Sequence, residues 1–474
     1  MKRKSLKFTI FCAVFSLITQ TKAQTAKCDY SFYDHLTLGY KDINASYYNC
    51  NLDTSQANHD SKLTRIDGQH VTGYCDAHVQ WIGKSNSVTK LKTFSSIFCK
   101  KFPNLEEIDM NDLELESIDV DSLSSCQNLN HLLLNNNKLR VIPVNLLCRN
   151  SKLTKIRLHN NQLTTLPGTL FMSQKELVEL YLYENHISFL PSSTFHPLVK
   201  LELLYLNENN FQSINPEWFR NLQNLKLLSL YGNKITEVPS KCFTALKNLT
   251  ELWLLENKIK TLNPDSFDSL QNLQLLNLNS NEVSELPADC FASLTNLLEL
   301  TMNNNKLTTI HSDSFGTHSQ LRELNLQNNR IKAVDEKLID NNDIKILNMI
   351  KNICSQMRMT TWSEIKLNLQ KCFDNYEPRS QPQSHADFIF PLFRNLRLTS
   401  NQNSCGKSFA GVGNIIGGSH IARGIFPWFV NYFFVFCDFK RNCSNRVVLF
   451  PAASRSVVPP PVQQLYAKEF SVGP

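Results

Sequence analysis

The sequence predicts an α/β solenoid: a horseshoe with a curved parallel sheet on its concave side, disulfide-tied caps and a largely irregular C-terminal tail. Three observations predict it. Leucine stands at positions 105, 129, 153, 177, 201, 225, 249, 273, 297 and 321, a step of 24 each time. Asparagine follows eight places later, at Asn137, Asn161, Asn185, Asn209, Asn233, Asn257, Asn281, Asn305 and Asn329, and only the first unit departs from this, with Leu113. Cysteines gather on both sides of the periodic region, which is where an open stack of units exposes its core and needs a cap.

The chain starts with a segment that reads as a secretory leader, residues 1–23. Lys2, Arg3, Lys4 and Lys7 form a basic end, Phe8–Ile18 an apolar core, and Thr21 and Ala23 a small-residue cleavage site before Gln24. That core is too short to span a bilayer. The nearest later run, Ile425–Phe436, is short and broken by Pro427 and Asn431, so the reading is a secreted, extracellular chain without a membrane span. In that compartment most cysteines pair. Of the 14 cysteines Cys12 leaves with the leader, and the odd remainder implies at least one free or intermolecular thiol. Residues 24–104 read as an N-terminal cap tied by Cys28, Cys50, Cys75 and Cys99, with Leu91 and Phe94 as the trailing half of a divergent repeat.

Residues 105–352 hold ten units of 23 or 24 residues and a truncated eleventh, which slips by one residue (Ile344, Leu347, Met349, Asn352). Apolar residues three and five places after the first leucine, such as Leu180 and Leu182, alternate inward as a short strand requires. Each unit has half a core, so units must stack and their strands pair in parallel. Many units end in a proline and then a phenylalanine, as in "ITEVPSKCFTALKNL". The pattern L-x-x-L-x-L-x-x-N-x-L at this period resembles the extracellular leucine-rich repeats, from Leu105 to about Asn352. The resemblance implies a structural asparagine that bonds neighbouring backbone where the chain leaves the strand. It also implies a C-terminal cap over 353–375, with Cys354 bonded to Cys372 around a segment whose second half has helical character. Cys126 and Cys148 lie on the outer sides of adjacent units and could pair. Cys242 and Cys290 occupy equivalent positions two units apart, about 10 Å, beyond disulfide reach, and read as buried thiols.

Strand residues alternate, so positions two, four and six after the first leucine face the concave side. There the composition is uneven. Units four to seven carry Tyr181, Tyr183, Tyr205, Tyr231 and Trp253 on neighbouring strands, with Leu203, Leu227 and Leu255. Glu179, Glu184, Glu208, Glu251 and Glu256 surround them. Exposed Tyr and Trp beside charge is the composition of a recognition patch, and a single patch is expected. Units eight to ten, with Asn277, Asn279, Thr301, Asn303, Asn325 and Gln327, read as a solvated face. His159 and His186 read as surface histidines, and Glu106 and Glu107 as strand-edge charge. Sequons stand at Asn44, Asn248 and Asn442.

After Cys372 the period stops. Residues 376–404 read as a linker, and 405–474 as a further segment without a closed core. "SCGKSFAGVGNIIGGSHIARGIFPWFV" resembles the zymogen-activation segment of chymotrypsin-like serine proteases, with the cleavage bond between Asn414 and Ile415 and a tethering Cys405–Gly406. The chemistry of that family needs a serine, a histidine base and an orienting acid. Where the family has its histidine and cysteine this sequence has Ser454 and Arg455, His420 is the last histidine, and no Gly-Asp-Ser-Gly-Gly loop occurs. The segment reads as a truncated protease remnant. Taken together, the chain resembles arthropod-type secreted leucine-rich-repeat proteins, some of which carry such a C-terminal domain.

The formal charge of +7 sits at the ends: the leader is basic, and residues 376–474 hold ten Lys/Arg against four Asp/Glu. The body between is mildly acidic and has no basic stripe for nucleic acid. No phosphate loop or metal-ligand spacing occurs, so no cofactor is expected. The expected function is recognition of an extracellular protein or glycan ligand through the concave face, in an immune or adhesive setting as the resemblance implies. The alternatives are a precursor of a serine endopeptidase whose catalytic part lies outside this sequence, and a pseudoprotease regulator.

Overall fold

A strand with one apolar face must pair along both edges and pack that face on another layer. In a computed structural model of the chain the repeat does both. The structure describes residues 25–34, 46–53, 63, 65–84, 90–316, 320–340 and 344–379. The chain divides into two compact units, Met1–Gln381 and Pro382–Pro474. The second lies outside the described residues, as do the leader, the sequons Asn44 and Asn442, and the Asn414–Ile415 bond.

Among the described residues, sixteen strands form one sheet. Each repeat contributes three residues, for example Lys155–Arg157, Glu179–Tyr181, Leu203–Tyr205, Leu227–Ser229 and Glu251–Trp253. These strands are parallel, and Leu180, Leu204, Leu228 and Leu252 lie in one register. The slip expected at the eleventh unit appears as Leu324 paired with Leu347. Before Leu105 the structure holds more than a trailing half-repeat: Trp81–Lys84 pairs in parallel with both Ser46–Asp53 and Glu107–Asp109. This unit escapes the leucine count because Val79 and Ile82 fill its inward positions.

Both ends are closed by reversing strand direction. At the N-terminal end Thr25–Asp34 pairs antiparallel with Ser46–Asp53, and Cys28 is bonded to Cys50 across the pair. At the other end Arg358–Met359 runs antiparallel to Ile346–Asn348. The helix Trp362–Asp374 follows, capped by Thr361, whose hydroxyl accepts the Glu364 N–H at 3.3 Å. The helix buries Ile365, Leu369 and Cys372, and Cys372 is bonded to Cys354.

The cysteine pattern differs from the expectation in two places. Cys126 is bonded to Cys99 of the preceding unit and not to Cys148. Cys148 falls two positions earlier in its unit than Cys126 and is exposed, whereas Cys99 and Cys126 are both buried. Cys75 is also exposed and unbonded, with its Sγ 3.2 Å from His78 Nδ1, so Cys28–Cys50 is the disulfide within the N-terminal cap among the described residues, and Cys99–Cys126 ties the cap to the first repeat. Cys242 and Cys290 are buried free thiols. The linker begins later than expected: Tyr376 stacks edge-on against His311 at 5.5 Å, and Arg379 pairs with Asp313 at 3.3 Å.

Two ladders hold the stack. On the convex side Phe171, Phe195, Phe219, Phe243, Phe267, Phe291 and Phe315 are fully buried, and rings such as Phe267 and Phe291 lie 5.8 Å apart. On the other side runs the asparagine ladder. Asn233 Nδ2 donates to Leu206 O of the preceding unit at 3.1 Å and to its own Leu230 O at 3.0 Å, while its Oδ1 accepts the Phe211 N–H at 3.1 Å. The same set recurs from Asn137 to Asn352. Leu113, at the equivalent place in the first unit, is a buried hydrophobe.

Substitution of Asn233 by alanine leaves the Phe211 N–H buried without a partner and leaves Leu206 O and Leu230 O with one donor each, from Asn209 and Asn257. A loss of about 3 kcal/mol is expected in urea denaturation followed by circular dichroism. Asn233→Asp should be no better tolerated, because a carboxylate cannot donate to the two carbonyls.

Candidate functional site

The concave face is built from the outward residues of the three-residue strands, so its side chains form rows across the units. At the N-terminal end Glu107 is enclosed, its side chain 10% exposed. Its carboxylate accepts from Trp81 Nε1 at 3.1 Å and faces His131 Nδ1 at 2.7 Å. It is therefore an interior anchor of the concave face and not strand-edge charge. The partners are 26 and 24 residues away, on adjacent strands, where a reading within one unit does not look.

In units three to five the rows become aromatic. Tyr181 and Tyr205 stack at 4.9 Å with planes 7° apart, and Arg157 lies 5.2 Å over the Tyr181 ring. Tyr183 sets its edge against Tyr181 at 6.5 Å and Tyr205 at 6.3 Å. His159, read from sequence as a surface histidine, stacks on Tyr183 at 4.2 Å. Burial, and then the Arg157 charge, push His159 down to about 4, so the ring is neutral at physiological pH. His186 is exposed. Beneath the cluster Lys155, nearly enclosed, pairs with Glu179 at 3.0 Å, and Glu179 accepts the Tyr181 hydroxyl at 2.9 Å.

Tyr231 and Trp253 form a separate group, 6.4 Å apart. The one continuous patch expected from sequence is thus two ring groups, divided at unit six, where Ser229 holds the place of Tyr205 and Trp253. Ser229 is fully buried, and its hydroxyl donates to Asn207 Oδ1 at 3.1 Å. Tyr231 donates to Glu208 Oε1 at 2.9 Å. Burial and then Glu208 push the Tyr231 phenol up to about 12, and burial and then Glu251 raise that of Tyr205. The phenols are neutral donors at any physiological pH.

The glutamates differ in kind. Glu179 and Glu251 lie on strands. Glu184, Glu208 and Glu256 occupy the turn just before the ladder asparagine, with φ of 51°, 52° and 54°. Every unit needs this left-handed residue, and Asp112, Asn136, Asn160, Gly232, Ser280, Asn304, Asn328 and Lys351 supply it elsewhere. Asparagine and glycine adopt it readily, whereas glutamate does so at roughly 1 kcal/mol. Gly232 has a second reason: a Cβ there would lie 2.9 Å from Glu208 Cγ. Asn248, the one described sequon asparagine, is exposed outside the patch, donating to Gln223 O at 2.9 Å. The face expected to be plainly solvated in units eight to ten carries its own ladder, with Asn279 Oδ1 accepting the Asn303 N–H at 3.0 Å.

Among the described residues no group of His, Cys, Asp and Glu could hold a metal ion, and no helix is long and apolar enough to cross a membrane. What the arrangement offers is a contact surface: half-buried rings, fixed hydroxyl donors and carboxylates on a rigid sheet.

Comparison with known proteins agrees with the repeat fold. The family described as "Leucine rich repeat" matches residues 151–211, 200–254, 230–283 and 271–331, and the "BspA type Leucine rich repeat region (6 copies)" matches 41–178. The fold and the two repeat families define one class: the chain is a leucine-rich-repeat protein. Among solved structures it is similar to the APL1 leucine-rich repeat domain, at 20% identity and a TM-score of 0.52, over 62% of this chain and 73% of that one. A structure of the LRIM1/APL1C complex matches at 16% identity and 0.48, over 69% and 70%. One of the TLR13-ssRNA13 complex matches at 23% and 0.48, over 59% of this chain and 48% of that one. At these identities the likeness is one of fold. No curated protein sequence matches the chain.

Replacing Glu184 by asparagine should raise stability by about 1 kcal/mol in urea denaturation, by relieving the left-handed turn. A second expectation concerns Asp109, which burial pushes up from 3.8 to about 6. Its folded-state pKa exceeds the unfolded one, so its contribution to stability is full below about pH 4 and is lost as pH rises to about 6. Asp109→Asn should therefore be more stable than the parent at pH 7, with the difference closing toward pH 4 in denaturation curves taken across that range.

Proposed function

We propose that this chain is a secreted recognition protein that binds an extracellular protein ligand through the concave face of units three to seven. The observation that carries the reading is the concentration there of half-buried rings beside glutamates. A solenoid presents an extended concave surface, and Tyr and Trp supply large contact area at low entropic cost. Glu184, Glu208 and Glu256, at the turns that border these rings, add carboxylates to the same surface. The comparison with the leucine-rich-repeat families supports recognition as the class of activity. Secretion is supported by the leader-like residues 1–23 and by three disulfides, which belong to an oxidising compartment. The reading assigns the chain no catalysis, and residues 405–474 enter it only as a protease-like segment.

The experiment captures partners from the extracellular fluid of the source by cross-linking and mass spectrometry, and then measures affinity for the captured protein. Tyr205→Ala with Trp253→Ala should weaken binding about 100-fold, as expected for two central anchors. Arg140→Ala, off the concave patch, should leave it unchanged. Unchanged affinity in the double variant would refute the concave face as the binding site.

A further inference from the structure

We propose that Asn248 carries an N-linked glycan whose innermost sugar lies in a polar groove on the flank of units five to eight. This rests on the secretion reading and is independent of the concave-face one. Just ahead of the concave strands, the residue before the first leucine is Asn224, Asn248, Asn272 and Asn296 in four successive units. All four line one groove of about 310 Å³, at the small end of clefts that hold a ligand. Three of them form a further ladder: the Nδ2 groups of Asn224, Asn248 and Asn272 donate to Val199 O, Gln223 O and Lys247 O at 2.8, 2.9 and 2.9 Å. The four share a place in the repeat, but Asn248 alone has a hydroxyl residue two positions on, Thr250, where the others have Lys226, Gln274 and Leu298. The N-x-[ST] acceptor pattern therefore occurs once in the row, inside the groove. The ladder bond uses one of the two Nδ2 hydrogens, and the second has no acceptor among the described residues. A sugar can replace that second hydrogen and leave the ladder bond in place.

The donor is an oligosaccharide joined through C1 to a lipid diphosphate. The Asn248 Nδ2–C1 bond forms, and the C1–O bond to the diphosphate breaks. Its electron pair leaves on the lipid diphosphate, and one Nδ2 proton is released. No electrons are exchanged with an oxidant or reductant. The lining of the groove suits a neutral, tethered occupant. Its charges cancel locally, since Lys226 pairs with Glu202 at 2.7 Å, and the rest are amides and the Thr250 hydroxyl. No field is left to draw in an ion. The lining includes no aromatic ring on which a free saccharide could stack. A sugar bonded to Asn248 needs no such platform, because the bond itself sets a high local concentration and weak polar contacts are enough. The amides of Asn272 and Gln274 both donate and accept, matching sugar hydroxyls and an N-acetyl group.

The test uses the full chain collected from the medium of secreting eukaryotic cells. Peptide mapping should find a glycan on Asn248, and Asn248→Gln should lower the intact mass by one glycan. The seat is read from the rate at which peptide N-glycosidase, which cuts the bond to Nδ2, frees the Asn248 glycan from the folded chain. Lys226→Ala with Gln274→Ala strips two exposed side chains from the groove and leaves the acceptor pattern intact. Release from the folded double variant should be about tenfold faster, as the tethered sugar loses its contacts, with release from the denatured chains unchanged. Circular dichroism confirms that the variant is folded. A secreted chain with Asn248 unmodified would overturn the proposal and leave the secretion reading standing. A chain that never reaches the medium would refute the secretion reading and take the glycan with it. Equal release from the folded parent and the folded double variant, with Asn248 glycosylated, would overturn the seating of the sugar in the groove.

Discussion

The architecture depends on one amide side chain repeated down the stack. At each turn off the concave strand the chain leaves two carbonyls and one N–H facing the interior, where no strand partner reaches them. The ladder asparagine satisfies these groups, donating to both units it separates and accepting from the earlier one. Only an amide of this length both donates and accepts there: aspartate lacks the donors, and leucine lacks both. Leu113 shows the tolerated exception, in the first regular unit, where it is simply buried as core. Because the asparagine must be reached from a fixed direction, the residue before it is held in the left-handed region in every unit. The turn, the strand register and the curvature follow from that constraint.

This explains why so much of the fold was legible. Period and asparagine together set which residues pair, and the register from Leu180 through Leu252 is the leucine count written in space. The slip at the eleventh unit was legible for the same reason. What was not legible lies between units of unlike sequence. Val79 and Ile82 do the work of leucine in the unit before Leu105, so a count of leucines stops one strand short. Cys99 is bonded to Cys126 because both face inward at neighbouring layers; position within a repeat resolves this only to a residue or two, and Cys148 misses by two.

The candidate site divides in the same way. The rings were visible as a compositional bias, since alternation assigns each strand residue to a face. The glutamates were visible too, but not the backbone strain three of them bear, because that strain belongs to the turn and not to the residue type. Cross-strand partners were invisible: the Glu107 carboxylate beneath Trp81 and His131, and His159 on Tyr183, are contacts between residues about a full repeat apart. A histidine judged within its own unit looks solvated. The next unit's tyrosine covers it and suppresses its charge.

A repeating scaffold makes a difference at one position more informative than it would be in an irregular fold. When every unit supplies the same backbone, replacing a ring by a serine changes little except the space between the neighbouring rings. At unit six Ser229 stands in register between Tyr205 and Trp253, and it is fully buried among its neighbours. Glu251 finds no cation in its own row, because positions 227 and 203 are leucine, whereas Glu179 finds Lys155 one strand away. The ladder that stabilises the turn thus also fixes the dimensions of the surface: it turns the sequence of each row directly into distances and charges across the concave face.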